Sequence, residues 1–229
     1  MAKQKKNSNY VTEKNIEKQE AKEEEKRKEQ QTKIIKRVAI ISGSVVGAIA
    51  LILLLVFILD VPTASAHATF NLDNGESIHI ELYGNAAPET VEHFLWLCED
   101  KDYYGRTYFE DMYVHTFLNG LLYVGSERAD IEDGEVLRGE FSKNSFYNRI
   151  KMTEGTVCMA RGEDYDSAYG QFFILTKDAP SLMGEYAAFG KVTNMDEVKA
   201  LIESLEVDEN GEIIGAPKIV SVNVHEAHH

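Results

Sequence analysis

Cysteine is scarce in this chain: Cys98 and Cys158 are the only two in 229 residues. A domain of this size has no need of a single cross-link, so two packed, free thiols are expected even if the domain is exported. There is no C-x-x-C pair, no G-x-S-x-G nucleophile turn and no glycine-rich phosphate loop, which sets aside dithiol redox chemistry, serine-elbow hydrolysis and nucleotide binding. The histidines are dispersed except for His225, His228 and His229 on a frayable terminus. No metal site is expected from them. Acidic pairs such as Glu163 and Asp164 lie in a polar loop and read as solvated surface. No covalent nucleophile, cofactor or metal announces itself.

Basic charge is also short over most of the length. Residues 60–229 carry 12 Lys/Arg against 31 Asp/Glu, a balance that argues against nucleic acid as a partner and serves solubility. Residues 1–37 reverse it, with twelve Lys/Arg, seven Glu and only scattered apolar residues. Nothing there can build a core. Glu23 with Arg27, Glu24 with Lys28 and Glu29 with Lys33 favour a partly helical, solvated tail, opposed by like charges at the same spacing. Between the two regions, "VAIISGSVVGAIALILLLVFIL" at 38–59 holds 22 residues without a charge. As a helix it is about 33 Å long, close to the ~30 Å hydrocarbon thickness of a bilayer, and it reads as a transmembrane helix. Lys33, Lys36 and Arg37 precede it and Asp60 follows, which places the N-terminus in the cytoplasm and the acidic domain outside. The alternative is a secretory signal cleaved near Ala66, where Ala64 and Ala66 offer an A-x-A pattern, although the apolar run exceeds the roughly 7–15 residues usual for a signal. The expected organisation is a tail over 1–37, a span over 38–59, a linker over 60–66, a folded domain over 67–225 and a short tail over 226–229.

The folded domain opens in period two. Ala68, Phe70 and Leu72, then Ile78, Ile80 and Leu82, flank Asn74-Gly75, a hairpin whose turn needs positive φ. "APETVEHFLWLC" predicts a short helix with Pro88 at its first position and Val91, Phe94, Leu95 and Cys98 on one face. Strand pairs are expected over 114–126 around "LNG" and over 155–176 around "RGEDYDSAYG". Asn194 is placed to cap a second helix whose apolar stripe is Val198, Leu201, Ile202 and Leu205. A last strand alternates through Val220, Val222 and Val224. Many short strands with two helices suggest a mainly β closed barrel plugged at its ends.

Within this pattern "SAYGQFFILT", 167–176, stands out. A glutamine heading so apolar a strand must either face water or line a site, because a buried amide without partners is penalised. Three stretches bear on the choice: "APETVEHF" at 87–94, "MARGEDYDSAYGQFFIL" at 159–175 and "LMGEYAAFGKV" at 182–192. In order and spacing they resemble the cyclophilin peptidyl-prolyl isomerases, and the likeness runs from about His67 to Val224. The resemblance implies a closed eight-stranded antiparallel barrel capped by two helices. It also implies an activity without cofactor, the cis-trans isomerisation of X-Pro bonds, with proline-containing segments of exported proteins as partners. Phe173 matches the pocket phenylalanine, Gln171 the substrate-contacting glutamine and Leu182 a pocket leucine, while Tyr186 stands where relatives carry His or Tyr. Arg161 falls where the family's backbone holds the substrate chain.

The other strand pair departs from the family. Its "F-H-R-x-I-P-G-F-M-x-Q-G-G" corresponds without a gap to "VHTFLNGLLYVGS", which puts Thr116 at the catalytic arginine, Leu121 and Leu122 at the pocket Phe and Met, and Val124 at a glutamine. Ser181 replaces an aromatic. Loss of a charge-assisted hydrogen bond of about 1.5–3 kcal/mol slows a reaction roughly ten- to 150-fold. Arg161 is a conceivable substitute donor; the simpler reading is a surface arginine. Two functions therefore stand side by side: a membrane-tethered isomerase of reduced activity, and a non-catalytic module that binds proline-containing peptides as a chaperone or adaptor.

Overall fold

The computed structural model describes residues 27–28, 31–33, 36, 47–52, 61–101, 105–125 and 136–227, in two units, 1–60 and 61–229. The described residues of the first unit are helical and exposed. Of the expected span only 47–52 are among them; the rest of 38–59, most of the tail, and His228 and His229 lie outside the described residues. No helix among the described residues is long and apolar enough to cross a membrane.

Among its described residues the second unit has ten strands: β1 Ala66–Leu72, β2 Ser77–Leu82, β3 Tyr113–Leu118, β4 Leu121–Gly125, β5 Thr156–Met159, β6 Phe172–Leu175, β7 Ala188–Val192, β8 Glu206–Val207, β9 Ile213–Ile214 and β10 Ile219–Glu226. Eight of them form one antiparallel sheet in the order β10-β1-β2-β7-β5-β6-β4-β3, and β8 pairs with β9. Where a closed barrel was expected, the sheet is a curled half-barrel, because among the described residues the two edge strands share one isolated bridge beside Tyr113 and no ladder. They meet at one corner, where Val114 N–H donates to Pro217 at 2.9 Å and Ile219 N–H to Met112 at 2.7 Å. Beside that corner Lys218 and Arg106 both hydrogen-bond Asp111 and hold its carboxyl below the usual carboxylate range.

The β1–β2 turn places Gly75 at φ 88°, as the Asn-Gly signal requires. Helix α1, Pro88–Glu99, buries Val91, Phe94 and Cys98 of the expected stripe, with Leu97 buried and Leu95 only partly so, but its cap comes from far away. Glu140, 1% exposed, accepts the Glu89 and Thr90 N–H groups at 3.1 and 2.8 Å, satisfying donors that the first turn cannot pair internally. In helix α2, Met195–Ser204, Val198 and Leu201 are buried, but Asn194 does not cap. Its amide instead bridges to β2, accepting from His79 N–H and donating to the Ser77 carbonyl. The alternation of β10 is also broken. A bulge sets Asn71 opposite Ser221 and Leu72 opposite Ile219, so Ile219 is buried and Val220 is turned out, while Val222 and Val224 return to the core. Two residues facing one reverse the parity of everything before them.

The concave side of the sheet holds a core of Phe70, Phe94, Phe109, Phe172 and Phe189 with Leu122 and Val124. The rings meet edge-on or tilted, Phe94 lying 4.8 Å from Phe189 and 5.4 Å from Phe172. A second, smaller cluster of Phe173, Cys158, Leu175, Ala188 and Met152 packs on the other face, joined by Leu121, Tyr123, Leu182 and Tyr186. Cys98 and Cys158 are free and buried, one in each cluster. Of the linker expected over 60–66, Ala66 opens β1 and residues 61–65 are tied to the domain through Thr63 to Asn85, Asn85 to Val61 and Ser65 to Leu82.

Candidate active site

The second cluster forms the floor of a recess of about 360 Å³. Phe173, 1% exposed, is the floor. The Tyr186 ring meets it edge-on at 5.1 Å and Tyr123 at 5.5 Å, leaving an apolar cup with aromatic sides. Leu182, on the 3-10 turn Pro180–Leu182, and Leu121 pack against the same cluster. Ser181 on that turn is exposed.

Leu122 is not in the cup. It pairs with Ile174, while Leu121 pairs with Leu175 and Tyr123 with Phe173, so Leu122 is fully buried in the opposite core. The gapless match put Leu121 and Leu122 on one pocket wall, which neighbouring strand residues cannot share. The residue that does share Phe173's side is Tyr123, which the motif match passed over. Its signal was in the chain: Leu122 and Val124 form one apolar face, leaving 121 and 123 on the other.

The polar rim is a run of hydrogen bonds. Gln171 Nε2 lies 3.2 Å from His115 Nε2, His115 Nδ1 lies 2.7 Å from Thr116 Oγ1, and Thr116 donates to Glu212 Oε1 at 3.2 Å. Both His115 and Thr116 reach this side because β3 has a register shift between Val114 and Thr116. Glu212 arrives from the β8–β9 hairpin, which docks on β3 through Phe117 N–H to the Gly211 carbonyl at 2.7 Å. That hairpin is shaped by Asp208, whose carboxylate accepts the N–H groups of Glu212 and Asn210 at 2.9 and 2.8 Å. These bonds, that from Glu212 foremost, hold the carboxyl below its usual range. Asn210 and Glu212 then form one wall of the recess. Sequence reasoning missed both, since no local pattern links β3 to a hairpin 90 residues later.

Arg161 lines the opposite wall and is not a surface arginine. Its side chain is 11% exposed, and the guanidinium sits 4.9–5.3 Å from the Phe141, Tyr165 and Tyr186 ring centres. Nε donates to the Glu185 carbonyl at 3.1 Å and an Nη to the Gly162 carbonyl at 2.9 Å. These bonds fix it as a rigid, positive wall. A second recess of equal volume opens beside Trp96 and Tyr169, away from all of these residues.

An apolar cup beside a line of oriented donors and acceptors, with no cysteine or serine among its described lining residues, suits binding and twisting of a chain more than bond cleavage. A family model described as cyclophilin type peptidyl-prolyl cis-trans isomerase/CLD matches residues 67–224. The chain belongs to the cyclophilin family. It is 31% identical over 172 residues to peptidyl-prolyl cis-trans isomerase B of Escherichia coli, covering 69% of this cyclophilin and 99% of that protein. Two Arabidopsis thaliana isomerases, CYP57 and CYP23, are 29% and 30% identical over 74% and 64% of this chain, which spans 33% and 64% of their own lengths. Among solved structures, a Cryptosporidium parvum cyclophilin type isomerase crystallised in the presence of the dipeptide Ala-Pro superposes with a TM-score of 0.59. It is 22% identical and matches 69% of this cyclophilin and 98% of its own chain.

Proposed function

We propose that this cyclophilin is a peptidyl-prolyl cis-trans isomerase acting on proline-containing segments of exported proteins, slower than relatives that carry the arginine. The observation that carries the reading is the Phe173 cup, with Tyr123 and Tyr186 as sides and Gln171 at the lip. The amide barrier is about 18–20 kcal/mol because the nitrogen lone pair is delocalised. A cup that holds the pyrrolidine ring, while the flanking amide turns against fixed polar groups, favours the twisted, deconjugated bond over the planar one. Only that difference accelerates the rotation. Thr116 stands at the arginine position with its hydroxyl directed to Glu212, and the Arg161 bonds to Glu185 and Gly162 favour a wall over a donor to the prolyl nitrogen. Both support reduced turnover.

The same two observations favour the second reading, a module that binds proline-containing peptides without turning them. A protease-coupled prolyl-peptide assay on the full chain separates the two. Turnover above the uncatalysed rate supports the isomerase; turnover that arises only in Thr116→Arg supports the module.

For its place in the cell we propose anchoring through 38–59, with the tail cytoplasmic and the cyclophilin domain outside. Ala66, the end of the A-x-A pattern, is the first residue of β1 and pairs with Leu82 and Glu226, which supports a retained anchor over cleavage there. Externally added protease should reach the domain in intact cells; protection of it would overturn this placement.

A further inference from the structure

His115 belongs to none of the roles assigned so far. It does not line the recess, yet it hydrogen-bonds two of the polar residues that do, Gln171 and Thr116. The direction of this run is set by its ends. A carboxylate only accepts and an amide NH₂ only donates, so with Glu212 accepting from Thr116, Thr116 accepts from His115 Nδ1–H and His115 Nε2 accepts from Gln171. This is the neutral imidazole with its proton on Nδ1, and it leaves Gln171 Oε1 as the end of the amide free to turn toward a peptide.

We propose that His115 is a positioning residue whose protonation decides which end of the Gln171 amide meets the substrate. An imidazolium donates from both nitrogens, so Nε2–H can no longer face the amide NH₂. The last torsion of glutamine has a broad, two-fold profile, and turning it by half a revolution brings Oε1 to His115 and presents the NH₂ to the cup. The acid form therefore offers a hydrogen-bond donor, backed by a positive charge, in a site whose arginine position is threonine.

Among the described residues, the titratable groups around the imidazole are Glu212, reached through Thr116, and Tyr123 on β4, whose ring centre is 6.4 Å away. Arg161 stands on the far wall, with part of its charge met by Glu185 at 4.0 Å. Glu212 favours the imidazolium and Arg161 opposes it.

The inference rests on the isomerase reading for its kinetic arm only. With the full chain and an Ala-Pro-containing peptide, kcat/KM is expected to rise about tenfold as pH falls from about 8 to about 5.5, mainly in kcat, through one transition that His115→Gln removes. A flat profile in the unmodified chain, or an unchanged transition in His115→Gln, overturns the proposal and leaves the isomerase standing. Absence of turnover at every pH overturns the isomerase reading instead. In that case peptide affinity is the readout, and the same transition, lost in His115→Gln, supports the positioning role. A second measurement needs no variant: imidazole nitrogen resonances should show Nδ1–H for His115 above the transition. The opposite tautomer there overturns the proposal.

Discussion

Phe172 and Phe173 are neighbours in sequence and live in different molecules, as far as physics is concerned. Phe172 points into the concave core, where Phe70, Phe94 and Phe109 surround it and Leu122 and Val124 back it from β4. Phe173 points the other way, into a thinner cluster that opens into the recess and is rimmed by Gln171, Thr116 and Arg161. One face of the β4–β6 pair is sealed and wholly apolar; the other mixes rings with polar groups held by hydrogen bonds. Strand alternation lets a single pair of strands serve stability on one side and recognition on the other, so substitutions one residue apart should have effects of different kinds.

The largest effect is expected from the sealed face. Phe172→Ala leaves a cavity among four aromatic rings and should lower stability by about 3–5 kcal/mol, read as a shift in the urea midpoint with the slope unchanged. A loss below about 1 kcal/mol would mean that the concave core is not the main source of stability, and the comparison would fail. On the open face Gln171→Ala should reverse the balance. It removes a half-buried amide at the rim, and kcat/KM for a prolyl peptide should fall about tenfold while the urea midpoint moves little. Equal loss of stability in the two variants would make Gln171 a structural residue.

How much of this was legible in the chain follows the same division. Period-two runs and the Asn-Gly turn were enough for β1 and β2, and the Phe94 stripe for α1, because each signal is local and its burial is the reason for the pattern. The acidic cap was not legible, since Glu140 lies 50 residues from the helix it caps and nothing near Ala87 points to it. The site was half legible. Phe173 sits on a regular strand with Gln171 immediately before it, and alternation carries the eye to the right face. The β3–β4 side was misread at Leu122 because motif matching counts positions and ignores which side of the strand they face. The register shift before Thr116 brings His115 to the rim and has no sequence signal of its own. Bulges and hairpin docking are settled by tertiary contacts, as Val220 in β10 also shows.

Two thiols allow the faces to be compared without altering either. Cys98 lies on the buried face of α1 in the sealed core and Cys158 beneath the cup; burial pushes both thiols well above their ordinary range, so neither is a ready nucleophile in the native fold. Under native conditions iodoacetamide should label neither over hours. In mild denaturant Cys158 should label first, because the smaller cluster opens at lower cost than the aromatic core. Simultaneous labelling would show that the two faces unfold as one unit.

The smallest effect belongs to the wall that neither face contains. Asp208 is exposed, yet its carboxylate ties down the turn that carries Asn210 and Glu212. Its folded pKa is depressed, so the contribution is present above the ordinary aspartate pKa near 3.9 and is lost as pH falls through the lower, folded value. At neutral pH Asp208→Ala should therefore mimic acid. The hairpin loosens, Glu212 no longer holds Thr116, and KM for a peptide rises modestly with kcat and the urea midpoint almost unchanged. An unaltered KM would show that β3 alone fixes the rim, through Phe117 N–H and the Gly211 carbonyl, and that the wall is scaffold independent of its own turn.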